Sequence, residues 1–212
     1  MGSTLMRLSD ISIMMNSGPE ICVLSTKSYT SQLAILLYLS YAIGKNEKTA
    51  KELITTAINA ISALIESHKE TAKRIASKIK GSKSIFLIGR DLAYPSALEG
   101  ALKIKEVSYI HAEGFAGGEL KHGTIALIEK DTPCIVLDTQ LTHNMIISNA
   151  NEIKARGGHI IGISSQNNEV FEDFIKTEEV GPANPITMII PIQLIAYYLA
   201  LERKCDPDTP IS

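Results

Sequence analysis

The stretch that decides the fold is residues 84–110, which read SIFLIGRDLAYPSALEGALKIKEVSYI. Its first part, Ser84–Ile88, is a nearly continuous apolar run that leads directly into turn residues, as in a central parallel strand buried on both faces. Pro95 then stands at an early helical position, and the helix is predicted to continue to about Ile110. A strand followed at once by a helix is the repeating unit of α/β domains.

The same alternation continues towards the C-terminus. Apolar runs bounded by turn residues predict strands at Ile125–Ile128, Cys134–Leu137 and His159–Ser164. Helical patterns predict further helices at Asn144–Arg156, Glu169–Ile175 and Pro185–Lys204. We therefore predict an α/β fold, a three-layer αβα sandwich around a mainly parallel sheet.

The N-terminal residues are predicted to form an incomplete unit of the same kind. Short apolar runs predict strands at Ile11–Met15 and Ile21–Leu24, and a helix follows at Tyr29–Ile43. Residues 48–79 carry a long amphipathic pattern, predicted as one or two helices with a break near residue 67. Two strands and one helix cannot bury both of their faces alone, so this part is expected either to borrow a partner surface or to dock on the second unit.

Composition limits the classes of function. The 212 residues contain 45% hydrophobic and 21% charged residues with a net charge of -2, which offers no electrostatic argument for nucleic acid or an anionic membrane. The N-terminus has no signal-peptide pattern. Cys22, Cys134 and Cys205 show no C-x-x-C spacing, which indicates reduced thiols and a cytoplasmic protein.

One face of the predicted helix at 95–110 is charged. Glu99, Lys103 and Glu106 fall on it, opposite a stripe of small and apolar residues that suits close packing on a sheet: Ala97, Ala101, Ile104 and Ser108. The pattern favours a solvated face with an i,i+4 ion pair. A carboxylate beside an ammonium is also the chemistry of proton transfer, provided that burial tunes both groups.

Two other segments carry candidate binding residues. Residues 111–123, HAEGFAGGELKHG, are glycine-rich and hold four metal-ligand types, His111, Glu113, Glu119 and His122, but lack H-E-x-x-H spacing, so no metal is predicted. Residues 20–27 place Ser25 between a predicted strand and a helix, where it is either an N-cap or a contact to a sugar or phosphate.

Three stretches resemble one family. Residues 18–33, 94–123 and 191–210 are similar to the sugar-isomerase (SIS) half of the glucosamine-6-phosphate synthases, the glutamine–fructose-6-phosphate aminotransferases. The combination of E-G-A-L-K-x-K-E and G-E-L-K-H-G is the specific part of this resemblance. It implies a flavodoxin-like second SIS domain at 81–212 without the family's terminal loop, linking helices at 46–80 and the remnant of a first SIS domain at 1–45.

The resemblance also implies a reaction and its residues. The family converts fructose 6-phosphate and glutamine into glucosamine 6-phosphate and glutamate, without a cofactor. By matching motif, Glu106 is the acid/base that moves a proton between C1 and C2, and Lys103 assists it. His122 promotes ring opening and reaches into the site of a neighbouring subunit, and Val23 and Ser25 contact the sugar. A homodimer or a higher oligomer is implied.

The family's phosphate-binding loop, its glutaminase domain and its imine-forming lysine have no counterpart in these residues, so weak or no activity is expected of this chain alone. Two alternative hypotheses of function remain. One is a glucosamine-6-phosphate deaminase or fructosamine-6-phosphate deglycase, which share the double SIS fold. The other is a non-catalytic phosphosugar-binding SIS module.

Overall fold

The structure, a computed structural model, describes residues 2–209. In chain order its helices and strands are α1 Thr4–Leu8, α2 Thr26–Ile43, α3 Glu47–Ile79, β1 Ser84–Gly89, α4 Ala93–Ser108, β2 His111–Ala116, β3 Pro133–Leu137, α5 His143–Ala155, β4 His159–Ser164, β5 Asp173–Lys176 and α6 Asn184–Glu202. Short 3₁₀ helices follow β2, at Gly117–His122 and Thr124–Leu127.

The five strands form one parallel sheet in the order β2-β1-β3-β4-β5. In its register, Leu87 of the central strand β1 pairs with Gly114 of β2 and with Ile135 of β3. After β1 the chain adds β2 on one side of it, and the next strand, β3, pairs with the other side of β1. The topological switch point, where the direction of strand addition reverses, therefore lies between β1 and β3. The predicted α/β class with a parallel sheet is confirmed.

Helices cover both faces of this sheet, which gives the predicted three layers. Alternate residues of β1 point to opposite sides: Ile85 and Leu87 enter the core under α3, α4 and α6, whereas Phe86 and Ile88 enter the core under α5. Each of these four side chains is at most 2% exposed, and full burial of such a side chain is worth about 1.5–3 kcal/mol.

Helix α6 is the most apolar element. Residues Gly181–Glu202 are long and apolar enough to cross a membrane by length and composition, with a mean hydropathy of 1.4. In the structure, however, 67% of the apolar 18-residue window within this segment is buried. Helix α6 packs against α3, α4 and α2. Its hydrophobicity is accounted for by its central place in the core.

Two predicted strands near the N-terminus are wrong. Residues 11–24 form no strand, and α2 follows directly after them. A strand is stable only when a neighbour takes up its backbone hydrogen bonds, and no other strand lies beside these residues in the part of the chain that is described. Ile11 and Ile21 are left more than 80% exposed.

Three further predictions need correction. The long amphipathic pattern forms the single helix α3, without a break near Ser67. Residues 125–128 lie in a 3₁₀ helix and at its end instead of in a strand. The helix predicted at Glu169–Ile175 is wrong, because Asp173–Lys176 pairs in parallel with β4 as the edge strand β5.

The glycine-rich segment also differs from the predicted loop, because its first six residues form the edge strand β2. Gly114 lets β2 approach α4 closely. A Cβ atom on Gly114 would lie 2.6 Å from the carbonyl oxygen of Ala97, nearer than atoms pack. This glycine therefore serves helix-on-strand packing and does not cradle a ligand.

Candidate functional site

Helix α4 brings three charged side chains together on its outer face. Lys103 Nζ lies 3.0 Å from Glu99 Oε1 and 3.1 Å from Glu106 Oε2, the spacings i,i+4 and i,i+3 of one helix face. The opposite stripe packs towards the sheet as predicted, and its residues Ala97, Ala101, Ile104 and Ser108 are all buried. We call Glu99, Lys103 and Glu106 the charged cluster.

The charged cluster is not the solvated face that the pattern favoured. The side chain of Lys103 is 2% exposed, and those of Glu99 and Glu106 are 18% and 29% exposed. The segment before α2 covers it, because the Lys103 ammonium donates a hydrogen bond to the backbone carbonyl oxygen of Leu24. Helical periodicity cannot reveal such a cover, since it comes from a segment 79 residues away.

Burying an ammonium ion costs several kcal/mol unless carboxylates and further acceptors surround it. Lys103 has two carboxylates and one carbonyl oxygen, so its charge is compensated. Glu106 is less well satisfied: its Oε2 atom is buried and accepts no hydrogen bond within residues 2–209, although the ammonium lies beside it. A buried carboxylate oxygen with a free lone pair is able to accept a proton.

The contact at Leu24 also places the predicted sugar contacts. Val23 and Ser25 flank Leu24, and both are exposed next to the charged cluster. Ser25 occupies the N-cap position of α2 with a left-handed backbone (φ 51°), and its hydroxyl makes no capping hydrogen bond. A non-glycine residue in this conformation is uncommon, and it leaves the hydroxyl available to a ligand.

Glu20 takes the capping role instead. Its Oε2 atom accepts a hydrogen bond of 3.2 Å from the backbone N–H of Ser28, in the first turn of α2. Burial acts to raise the pKa of Glu20, but the hydrogen bonds from Ser28 and the charge of Lys27 outweigh it and lower that pKa. The N-cap interpretation of Ser25 is thus not supported, and the carboxylate before it supplies the cap.

Glu99 and Tyr29 belong to the same environment, and of the two only Glu99 was a candidate from the sequence, as part of the charged face of the helix. Burial and the negative charge of Glu99 raise the pKa of the Tyr29 phenol. Tyr29 packs against the core at the start of α2. The i,i+4 spacing of Glu99 and Lys103 is the signal that the sequence offers, and by itself it predicts a surface ion pair.

His122 is not brought to the charged cluster. It ends the 3₁₀ helix after β2, its side chain is 71% exposed, and its Nδ1 atom lies 2.7 Å from Glu119 Oε2. Nor do His111 and Glu113 converge with these two residues, since no group of three or more potential metal ligands occurs within residues 2–209. His122 follows the carboxyl end of β2, whereas Lys103 and Glu106 lie in the second half of α4, which runs back towards the other edge of the sheet.

The strand order β2-β1-β3-β4-β5 with helices on both faces is that of the flavodoxin-like class of α/β domains. The SIS domain family matches residues 78–203, more than half of the chain. The chain belongs to the SIS domain family.

More specific similarities point to one group within this family. The chain is 47% identical over 217 residues to the glutamine–fructose-6-phosphate aminotransferase (isomerizing) of Bacillus subtilis strain 168, covering 99% of this chain and 36% of that protein. The chain thus spans about a third of the length of the curated relatives that it matches.

Solved structures agree with this assignment. The C-terminal domain of glucosamine-fructose-6-phosphate aminotransferase from Francisella tularensis superposes with a TM-score of 0.89 at 32% identity, covering 98% of this chain and 62% of that one. A glucosamine-6-phosphate deaminase from Thermotoga maritima has a TM-score of 0.72 at 21% identity, covering 98% and 61%. The second likeness shows a shared fold only.

Proposed function

We propose that this chain carries the isomerase part of a glutamine–fructose-6-phosphate aminotransferase and acts on a hexose 6-phosphate. The similarity at 47% identity supports the reaction class. The observation that carries the proposal is the hydrogen bond from Lys103 to the carbonyl oxygen of Leu24, because it joins two separate sequence motifs in one partly open site.

In this site Glu106 is the acid/base. With the sugar in its open form, a carboxylate beside C1 and C2 takes a proton from one carbon and returns it to the next. The positive charge of the neighbouring Lys103 ammonium stabilises negative charge that develops on the substrate. Val23 and Ser25, which flank the carbonyl group that Lys103 binds, contact the sugar.

His122 promotes ring opening from a second copy of the chain. Its exposure and its distance in the fold from the charged cluster support a role in a neighbouring site. An imidazole titrates near neutral pH and can exchange a proton with a ring oxygen. This role requires a homodimer or a higher oligomer. We place the protein in the cytoplasm, and the proposal includes no nucleic acid or membrane as partner.

The surface of the N-terminal part supports the need for such a partner. We propose that residues 1–45 belong to a first SIS unit, residues 46–80 link it, and the second SIS unit starts at residue 81. Large apolar side chains are exposed along the first part, among them Ile11, Ile21 and Ile43, each at least 82% exposed. Exposed apolar surface of this extent favours packing against another unit.

The activity is tested by incubating the purified chain with fructose 6-phosphate and ammonia and measuring glucosamine 6-phosphate and glucose 6-phosphate by mass spectrometry. We expect slow turnover that Glu106→Gln abolishes and that the control Glu113→Gln retains. Circular dichroism and light scattering show whether each sample is folded and oligomeric. A folded wild-type chain without turnover would contradict activity of the chain alone and favour a non-catalytic binding module.

A further inference from the structure

A polar cleft runs along the carboxyl ends of β1, β3 and β4, on the edge of the sheet that the charged cluster does not use. It consists of two adjoining cavities of about 540 Å³ and 440 Å³ that share Asn144. Each is within the usual size range of small-molecule sites. We call the two together the carboxyl-edge cleft.

One end of the carboxyl-edge cleft presents a positioned arginine. Arg90 follows β1 directly, and its Nε atom donates a hydrogen bond of 3.0 Å to Oδ1 of the buried Asn149. Gly117 leaves the room for this arrangement, since a Cβ atom there would lie 2.7 Å from Asn149 Oδ1 and 2.8 Å from Arg90 Nε. The Nη atoms make no hydrogen bond to oxygen within residues 2–209, and so can form a fork for an anion.

The other end presents a positioned histidine. The carboxylate of Asp138 is buried at the end of β3, and its Oδ2 atom lies 2.9 Å from His143 Nδ1 and accepts a hydrogen bond of 2.7 Å from Ser164. The carboxylate can only accept from Nδ1–H, and in the neutral imidazole this arrangement leaves the Nε2 atom of His143 as an acceptor. The imidazole is 39% exposed and lines the cleft together with Gln140 and Gln166.

These arrangements stand at the topological switch point between β1 and β3, where open α/β sheets bind their ligands. A positioned arginine suits a phosphate group, and the amides, the carboxylate and the imidazole at the far end suit sugar hydroxyls. We propose that the carboxyl-edge cleft is a second binding site, for a phosphorylated sugar. Its phosphate binds Arg90, and a hydroxyl group donates to His143 Nε2.

This site shares no residue with the charged cluster. Helix α4 runs back from the carboxyl edge of the sheet, so Lys103 and Glu106 in its second half lie towards the opposite edge. The proposal rests on the cleft's own side chains and stands whether or not Glu106 is catalytic. Its role is binding only, since no reaction is assigned to it.

We would titrate the ¹⁵N-labelled chain with glucose 6-phosphate, and in parallel with glucose and with inorganic phosphate, and follow backbone amide shifts by NMR. We expect glucose 6-phosphate to shift the amides of Gly117, Gly118 and Asn144. It should bind at least about tenfold more tightly than either part alone, because both ends of the cleft contribute. Equal affinity for inorganic phosphate would overturn the assignment of a sugar site.

Variants separate this cleft from the rest of the molecule. Arg90→Gln and His143→Gln should each weaken binding at these amides by at least about tenfold, and Arg90→Lys by less because it keeps the charge. The matched controls Arg7→Gln, His111→Gln and Glu106→Gln should leave binding at these amides unchanged. Shifts that persist in Arg90→Gln and His143→Gln, or that are absent in the wild-type chain, would refute the proposal.

Discussion

Lys103, in the middle of α4, donates a hydrogen bond to the backbone carbonyl oxygen of Leu24, 79 positions earlier in the chain. The same ammonium lies within 3.1 Å of two carboxylates of its own helix. One buried charge thus holds the segment before α2 against the helix that carries the proposed acid/base.

Replacing Lys103 by methionine should loosen this attachment. The change leaves Glu106, Glu99 and the Leu24 carbonyl without their cation, so we expect a loss of about 2–4 kcal/mol in the free energy of unfolding. The carboxylates are partly exposed, which keeps the loss below that for a fully buried pair. Urea denaturation measures it.

Hydrogen exchange should localise the same effect. In Lys103→Met the amides of residues 22–29 are expected to exchange faster, whereas those of β3 and β4 keep their protection. Lys105→Met, at an exposed position of the same helix, is the matched control and should change neither quantity. Unchanged exchange at residues 22–29 would show that apolar packing alone holds this segment.

Gly114→Ala tests whether glycine in β2 serves packing. The added methyl group would lie 2.6 Å from the carbonyl oxygen of Ala97 and 2.8 Å from the Cα atom of Leu98, both backbone atoms that cannot move aside cheaply. We expect a destabilisation of about 1–3 kcal/mol in thermal or urea unfolding. Gly81→Ala is the control, since no atom lies within 4 Å of its Cβ position. Equal stability of the two variants would contradict the tight packing.

Asp173 is the centre of a second buried ion network. It pairs with Arg74 and Lys78 of α3, and its Oδ2 atom lies 2.8 Å from His159 Nε2. Burial acts to raise the pKa of Asp173, but hydrogen bonds from Arg74, Lys78 and His159 outweigh it and lower that pKa. A carboxyl group with a lowered folded pKa stabilises the protein above its unfolded pKa of about 4, and this contribution is lost as the pH falls through the folded value.

Asp173→Asn should therefore cost about 1–3 kcal/mol at pH 7, and the difference from wild type should shrink below about pH 4. Urea denaturation at pH 7, 5 and 3.5 measures both. Glu52→Gln removes the exposed pair with Lys48 and should change stability by less than about 0.5 kcal/mol at every pH. A difference for Asp173→Asn that does not depend on pH would contradict the role of its charge.

The fold was predictable where the chain carries long apolar patterns. β1, β3, β4 and the helices that follow them have these patterns because both faces of the sheet are covered. The sequence does not predict β2, because Gly114 lies in a glycine-rich stretch that is typical of a loop. In the structure this glycine allows close contact with α4. Ile11–Met15 and Ile21–Leu24 look like strands, but strand formation depends on a neighbour that a local pattern does not contain.

The site was predictable only in part for a similar reason. The spacing of Glu99, Lys103 and Glu106 places them on one helix face, and the resemblance of two motifs connects them with Val23 and Ser25. The burial of Lys103 depends on Leu24, a distant residue that contributes only a backbone atom. No side-chain pattern encodes that contact, so the helical periodicity alone predicts a solvated face, and this prediction is wrong.

The proposed role of Glu106 is to move a proton between C1 and C2 of a hexose 6-phosphate. Its most direct test replaces the matching stretch of the Bacillus subtilis aminotransferase by this chain and measures deuterium uptake from D₂O into fructose 6-phosphate by mass spectrometry. We predict that the hybrid incorporates deuterium and that Glu106→Gln slows the uptake by about 10²–10⁴-fold while the variant stays folded. Uptake at an unchanged rate in a folded Glu106→Gln variant would contradict the claim.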